Sequence, residues 1–258
     1  MNNKIDQQKK HFENISKYYY ISRQGKNHLE FKKHIWKYFF DKVKYHFKEE
    51  IYTCLEPMCG YGEGFKILIN YGKLNILYKG FDYSEEIVKI AQKFYPNLNI
   101  TLGNILDYQD ESIYDLIILI GGLHHVYEEA NRVVKNISKL HKKGGYFINL
   151  EPTNNNYLIK LIRDYIYKKN KIFDHETERA FNLRELDDIF QSNGYGKVVQ
   201  MFPGLLGYVL YYNPDAFPLL NIGNERIVKL IFNLEKRFYF NFIGRFFSFA
   251  TLTMWRKL

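Results

Sequence analysis

Apolar and polar positions along the chain change period several times, and each change marks an element. Leu29, Ile35, Trp36, Phe39, Phe40, Val43 and Phe47 recur at helical spacing, which predicts a long amphipathic helix packed on a core. In front of it, Asn27-His-Leu-Glu30 has the N-x-x-E spacing of a capping box, whose side chains satisfy orphan helix amides. After Ile51, short apolar runs alternate with helical patterns. The runs predict strands near 51–57, 75–82, 98–102, 114–120 and 145–151, with helices near 62–72, 84–95 and 126–142. Such alternation requires a parallel sheet with crossover helices. In the last of these helices Val126, Ala130, Val133, Val134, Ile137 and Leu140 share one face, and Gly144-Gly145 reads as its stop.

Beyond Glu151-Pro152 the pattern changes. Residues 154–171 read as a Tyr- and Lys-rich helix, and Asn182-Leu-Arg-Glu185 opens another with a capping box that Gly194 closes. A sixth strand is predicted at 197–202, a helix near 224–238 and a last strand near 247–255. There are no internal repeats, heptads or Pro/Ser linkers. One domain over 1–258 is expected: N-terminal helices and a lid (1–50), a core (51–152), and a cap with the rest of the sheet (153–258).

Composition narrows the function classes only a little. At 258 residues the chain is long enough for a large core. Its net charge of +9 is spread along nearly every helix, without the dense arm or stripe of a nucleic-acid footprint, so no stable nucleic-acid partner is expected. That charge reads either as a solvated lysine-rich surface or as attraction for an anionic substrate. The two cysteines, Cys54 and Cys59, would be held about 16 Å apart by extended chain, too far to bridge. Without a matching His/Cys cluster they make a poor zinc site, so no metal is expected and a reducing cytoplasm fits. The N-terminal MNNKIDQQKK is polar, without an apolar signal core. Asn241 and Arg245 interrupt the most apolar stretch, 238–255, so no transmembrane segment is expected, while peripheral membrane contact stays open.

The chemistry lies in Leu55-Glu-Pro-Met-Cys-Gly-Tyr-Gly-Glu-Gly64, a strand end running into a glycine turn and then a helix. Such turns bring backbone against a nucleotide-like ligand, because a Cβ would block the approach. The dinucleotide fingerprint would need a third glycine where Phe65 stands, which disfavours that class. With four further segments the turn resembles the class I S-adenosylmethionine-dependent methyltransferases. These are Gly80-Phe-Asp82-Tyr-Ser84, Gly103-Asn104-Ile105, Tyr114 through Gly121-Gly-Leu-His-His125, and Gly144-Gly145 through Glu151-Pro152. One departure is Met58, where that family has its first glycine.

The resemblance implies a Rossmann-like α/β fold: seven strands, mostly parallel, the last antiparallel between the fifth and sixth. N-terminal helices and a helical cap, after strand five and between the last two strands, would complete it. It implies S-adenosylmethionine as cofactor, with S-adenosylhomocysteine as product. Contacts would come from Glu56, Met58, Cys59, Gly60 and Gly62, with Glu56 facing the ammonium group. Asp82 would take the ribose hydroxyls, Tyr83, Asn104 and Ile105 the adenine, and Gly121 would border the site. His125 and His124, just past the fourth strand, are the candidates to take a proton from the acceptor. Substrate-contact candidates are Tyr20 and Arg23 in the lid, Glu151, and His175 and Arg179 in an ionisable run of the cap. There Arg179 either forks onto a phosphate or carboxylate or joins a local ion pair. The expected activity is O- or N-methylation of a small, phosphorylated or sugar-linked metabolite, as in surface (capsular) polysaccharide biosynthesis. Alternatives are a lipid or quinone methyltransferase, a tRNA methyltransferase, and a non-catalytic cofactor-binding scaffold.

Overall fold

The alternation is realised as one seven-stranded sheet. A computed structural model describes residues 7, 10, 13–14, 18, 20–169, 178–214 and 218–258. The strands are β1 (Tyr52–Pro57), β2 (Ile76–Asp82), β3 (Asn99–Leu102), β4 (Tyr114–Ile120), β5 (His141–Pro152), β6 (Tyr195–Met201) and β7 (Ala250–Lys257). Their order is β3-β2-β1-β4-β5-β7-β6, and β7 alone runs antiparallel to its neighbours. The strand order reverses between β1 and β4, where an open α/β sheet leaves a crevice at its carboxyl ends.

Both faces of the sheet are covered, which is why β4 reads as a continuous apolar run rather than an alternation. Leu116 and Ile118 of β4 pack into one layer with Phe31, Trp36 and Phe39 of α1 (Lys26–Val43), Ile67 of α2 (Glu63–Ile67) and Phe232 of α7 (Glu225–Glu235). Ile117 and Leu119 pack into the other, with Val133 and Ile137 of α4 (Ala130–Ser138), and Leu186 and Phe190 of α6 (Leu183–Ser192). Phe190 stacks on Trp255 of β7 at 4.6 Å, and the indole N–H donates to Asn149 Oδ1 at 2.8 Å. Further α-helices among the described residues are α3 (Glu85–Phe94), α5 (Tyr157–Lys169) and α8 (Phe242–Phe247).

Several local expectations give way. Helix α1 starts after Gly25 with no side-chain cap, so Asn27 and Glu30 form no capping box. Asn27 already lies inside the helix; its amide reaches Asn221 Oδ1 at 3.1 Å, and Glu30 pairs with Lys33 and His34. The buried face of α1 runs through His28, Phe31 and Lys32, whereas Leu29 is exposed. Helix α4 ends at Ser138, before the Gly144-Gly145 pair. Gly144 (φ +83°) instead turns inside β5, where the register with β4 shifts. The capping box at Asn182 and Glu185 is present. Among the described residues no helix is long and apolar enough to cross a membrane.

Candidate active site

The end of β1 turns through three residues in the left-handed region: Met58 (φ +51°), Gly60 (φ +51°) and Gly62 (φ +70°). Met58 therefore keeps the backbone of the glycine it replaces, at a cost of about 1–2 kcal/mol for a side chain. That side chain packs with the apolar layer under β4, and a Cβ added at Gly122 would come within 3.1 Å of its sulfur. A Cβ added at Gly60 would meet nothing within 4 Å, so the turn presents open space where a ligand can approach backbone. At Gly64 it would lie 2.7 Å from Glu56 and Ile118, so that glycine serves helix–strand packing.

Glu56 braces the turn. Its carboxylate accepts from Gly64 N at 2.7 Å, Phe65 N at 3.1 Å and the Tyr78 hydroxyl at 2.6 Å. It is buried, and burial raises its pKa to about 7 against those donors. Asp82, at the tip of β2, accepts from Gly60 N and Ser84 N, both at 3.0 Å. Tyr83 N–H is a third backbone donor, and a carboxylate has about four lone-pair sites, so the side chain keeps room for a diol. Burial raises its pKa, against the backbone donors and the charge of His125. Asn104 folds its side chain onto Leu106 N at 3.0 Å, and Ile105 is buried under the same turn. Gly121 (φ +58°) ends β4, its N–H donating to Leu150 O at 2.7 Å.

Tyr20 and Glu13 reach this crevice from the N-terminal side. Tyr20 packs on Tyr61 of the glycine turn at 4.9 Å and on Phe94 at 5.2 Å, and Ser84 donates to Glu13 at 3.1 Å. Arg23 donates to Asn213 Oδ1 at 3.4 Å. From α1 the buried Lys32 pairs with Glu63, the first residue of α2. Burial, with Lys66 and Arg23 nearby, lowers its pKa to about 7.

The histidines follow β4 on a 3₁₀ turn, Leu123–Glu129. Glu151, fully buried on β5, holds that turn: it accepts from Leu123 N at 3.0 Å, His124 N at 3.3 Å and His124 Nδ1 at 3.0 Å. Burial raises the pKa of Glu151 to about 7 and, with the charge of His125, pushes that of His124 well below the usual imidazole range. His125 Nδ1 lies 3.4 Å from Glu178 Oε1. Burial opposes charging this ring, but Glu178, then Glu151 and Asp82, outweigh it and raise its pKa. His124, His125 and Glu178 can each turn a ligand atom to within 4.8 Å of the others, a spacing that could also hold a metal ion.

The crevice thus gathers Glu56, Met58, Cys59, Gly60, Gly62, Asp82, Tyr83, Asn104, Ile105 and Gly121 along the carboxyl ends of β1, β2, β3 and β4, with both histidines and Glu151 beside them. Two substrate candidates stand differently. Arg179 pairs with Glu185 and lies over the Tyr127 ring at 4.8 Å, the local ion pair rather than an anion fork. His175 lies outside the described residues. The arginine of the cap whose charge reaches the site is Arg163 of α5, buried on Thr153 O and Phe249 O and felt by His124 and Tyr208. Sequence patterns gave no signal for Arg163, Lys32 or Tyr208, and Glu178 was one acid in a charged run.

Residues 55–149 match the family model described as a methyltransferase domain. No curated protein matches the sequence. Among solved structures, an S-adenosylmethionine-dependent methyltransferase from Thermotoga maritima superposes with a TM-score of 0.59 at 18% identity, covering 96% of this chain and 99% of that one. One from Clostridium acetobutylicum gives 0.58 at 12%, covering 88% and 92%. A [4+2]-cyclase gives 0.55 at 12%, covering 86% and 80%, so these likenesses speak for the fold rather than for a reaction. The domain match, the left-handed glycine turn with open space at Gly60, and Asp82 across from it agree: residues 55–149 carry a methyltransferase domain, with S-adenosylmethionine as the methyl donor.

Proposed function

We propose that the enzyme methylates oxygen or nitrogen of a small acceptor, with His125 taking the acceptor's proton. The observation that carries this reading is the place of His125 between the cofactor acid and the cap. It lies 3.4 Å from Glu178 of the cap and feels the charge of Asp82 on β2. Bound S-adenosylmethionine supplies a methyl group on a cationic sulfur, already activated for in-line displacement. The chain's own work is to hold the acceptor in line and exclude water. Asp82 would accept the ribose hydroxyls while Gly60 and Gly62 admit the methionyl portion. Tyr20 over the glycine turn would close the crevice. Glu178 would hold Nδ1–H of His125, leaving Nε2 to accept the proton.

In this reading the acceptor is phosphorylated or sugar-linked, as in surface-polysaccharide biosynthesis. The charges of Arg163 and Arg23, both felt at Tyr208 on the cap side, support an anionic group there. A cytoplasmic location belongs to the same reading and agrees with the free thiols of Cys54 and Cys59. The test is calorimetric titration with S-adenosylmethionine for the wild type and Asp82→Ala, followed by an acceptor screen that begins with phosphorylated sugars. Micromolar binding lost in Asp82→Ala, with turnover of a sugar phosphate lost in His125→Asn, is expected. Turnover confined to quinones or lipids would overturn the acceptor class. Binding without any transfer would favour a non-catalytic scaffold.

A further inference from the structure

Helix α8 has a single buried residue, Gly244. A Cβ there would run into Phe238 O, so the helix sits with its backbone directly on the chain beneath it. Its large side chains, Phe242, Ile243, Phe246 and Phe247, are consequently left outside, with Phe242 75% exposed. Helix α5 is tied alongside: Asn155 Nδ2 donates to Arg245 O at 2.7 Å and Asn156 Nδ2 donates to Phe246 O. It adds exposed Tyr157 and Leu158 to the same region, Tyr157 at 74%. Isolated exposed apolar residues are ordinary, but two joined helix faces of this kind mark an interaction surface.

Charge identifies what covers it. Between residues 236 and 249 there is no acid, and Arg237 and Arg245 are exposed. On α5 the exposed Lys160 stands with a single acid, the exposed Asp164. A second copy meeting this face by a two-fold axis would set basic residues against their own kind, which costs rather than contributes. A surface with apolar depth and negative headgroups satisfies both features at once.

We propose that the face formed by α5 and α8 docks on an anionic lipid bilayer, with the aromatic side chains of α8 entering the headgroup boundary. The contact is interfacial, since no described helix can span the bilayer. It bears on α5, whose buried face carries Arg163 toward the active site. The inference rests on this surface and is independent of the proposed acceptor and base.

The test is co-sedimentation of the full chain with phosphatidylcholine vesicles, with and without about one-third phosphatidylglycerol. The wild type should partition at least about tenfold more strongly onto the anionic vesicles, and salt should weaken it. Phe242→Ser with Phe246→Ser, and separately Arg237→Glu with Arg245→Glu, should each reduce partitioning about tenfold or more. Unchanged melting temperature and S-adenosylmethionine affinity would show that both variants stay folded. Absence of binding to anionic vesicles would overturn the proposal, as would binding indifferent to both variants. Self-association abolished by the same substitutions, without vesicle binding, would assign the face to a second copy instead.

Discussion

Glu151 Oε2 lies 3.0 Å from Nδ1 of His124, and the same carboxylate takes the backbone N–H of Leu123 at 3.0 Å. One buried side chain on β5 therefore sets the position of the turn that carries both histidines. Glu151→Ala would leave those N–H groups without an acceptor and should destabilise the fold by about 2–4 kcal/mol. Glu151→Gln keeps an acceptor oxygen and should cost less than half as much. Thermal and chemical unfolding of both variants check this, and equal losses would mean the carboxylate does not hold the turn.

The His125–Glu178 pair has a pH signature. Neutral His125 is the base, and the neighbouring carboxylates raise its pKa above the ordinary 6.5. Activity should therefore rise with pH along an acid limb placed above that value. Glu178→Gln removes the carboxylate paired with the ring, so the limb should move to lower pH even as the maximal rate falls. The pH profile of kcat/KM for wild type and variant is the measurement; an unmoved limb would separate Glu178 from the ionisation.

The glycines of the first turn should fail in different ways when replaced by alanine. Gly64→Ala drives a methyl group against Glu56 and Ile118 at 2.7 Å and should cost about 1–3 kcal/mol of stability. Gly60→Ala meets no atom within 4 Å but must hold φ near +51°, a cost of about 1–2 kcal/mol. Its methyl group enters the open space of the crevice, so cofactor affinity should fall more for Gly60→Ala than its stability change explains. Calorimetric binding beside denaturant unfolding distinguishes the two.

Glu235 is a buried carboxyl outside the active site, bonded to Gly207 N at 2.9 Å and the Tyr239 hydroxyl at 2.6 Å. Burial raises its pKa from 4.5 to about 7. A folded pKa above the unfolded one gives stability that is complete below about pH 4.5 and lost as pH rises through about 7. Glu56 and Glu151 share that direction. Glu235→Gln cannot ionise, so between pH 5 and pH 8 its stability relative to wild type should improve by up to about 3 kcal/mol. Denaturant unfolding at the two pH values checks the sign.

Local spacing was enough for the strands, the crossovers and the glycine turn: apolar periodicity places strands and helices, and a turn into a helix leaves only small residues room near a ligand. Asp82 was legible only through the family resemblance, since a lone acid at a strand end has no signal of its own. The capping box at Asn182 was legible for the same reason, whereas the matching letters at Asn27 misled because the helix had already begun at Lys26. The tertiary structure alone decided the partners. Glu178 meets His125 and Lys32 meets Glu63 only because the cap and the first helix fold back over the sheet. The same folding buries Arg163 toward the histidines and leaves Arg179 outside with Glu185. The apolar letters of α8 also read equally well as core or surface. Gly244 resting on the backbone of Phe238 turned them outward, a contact between main chains that no periodicity records.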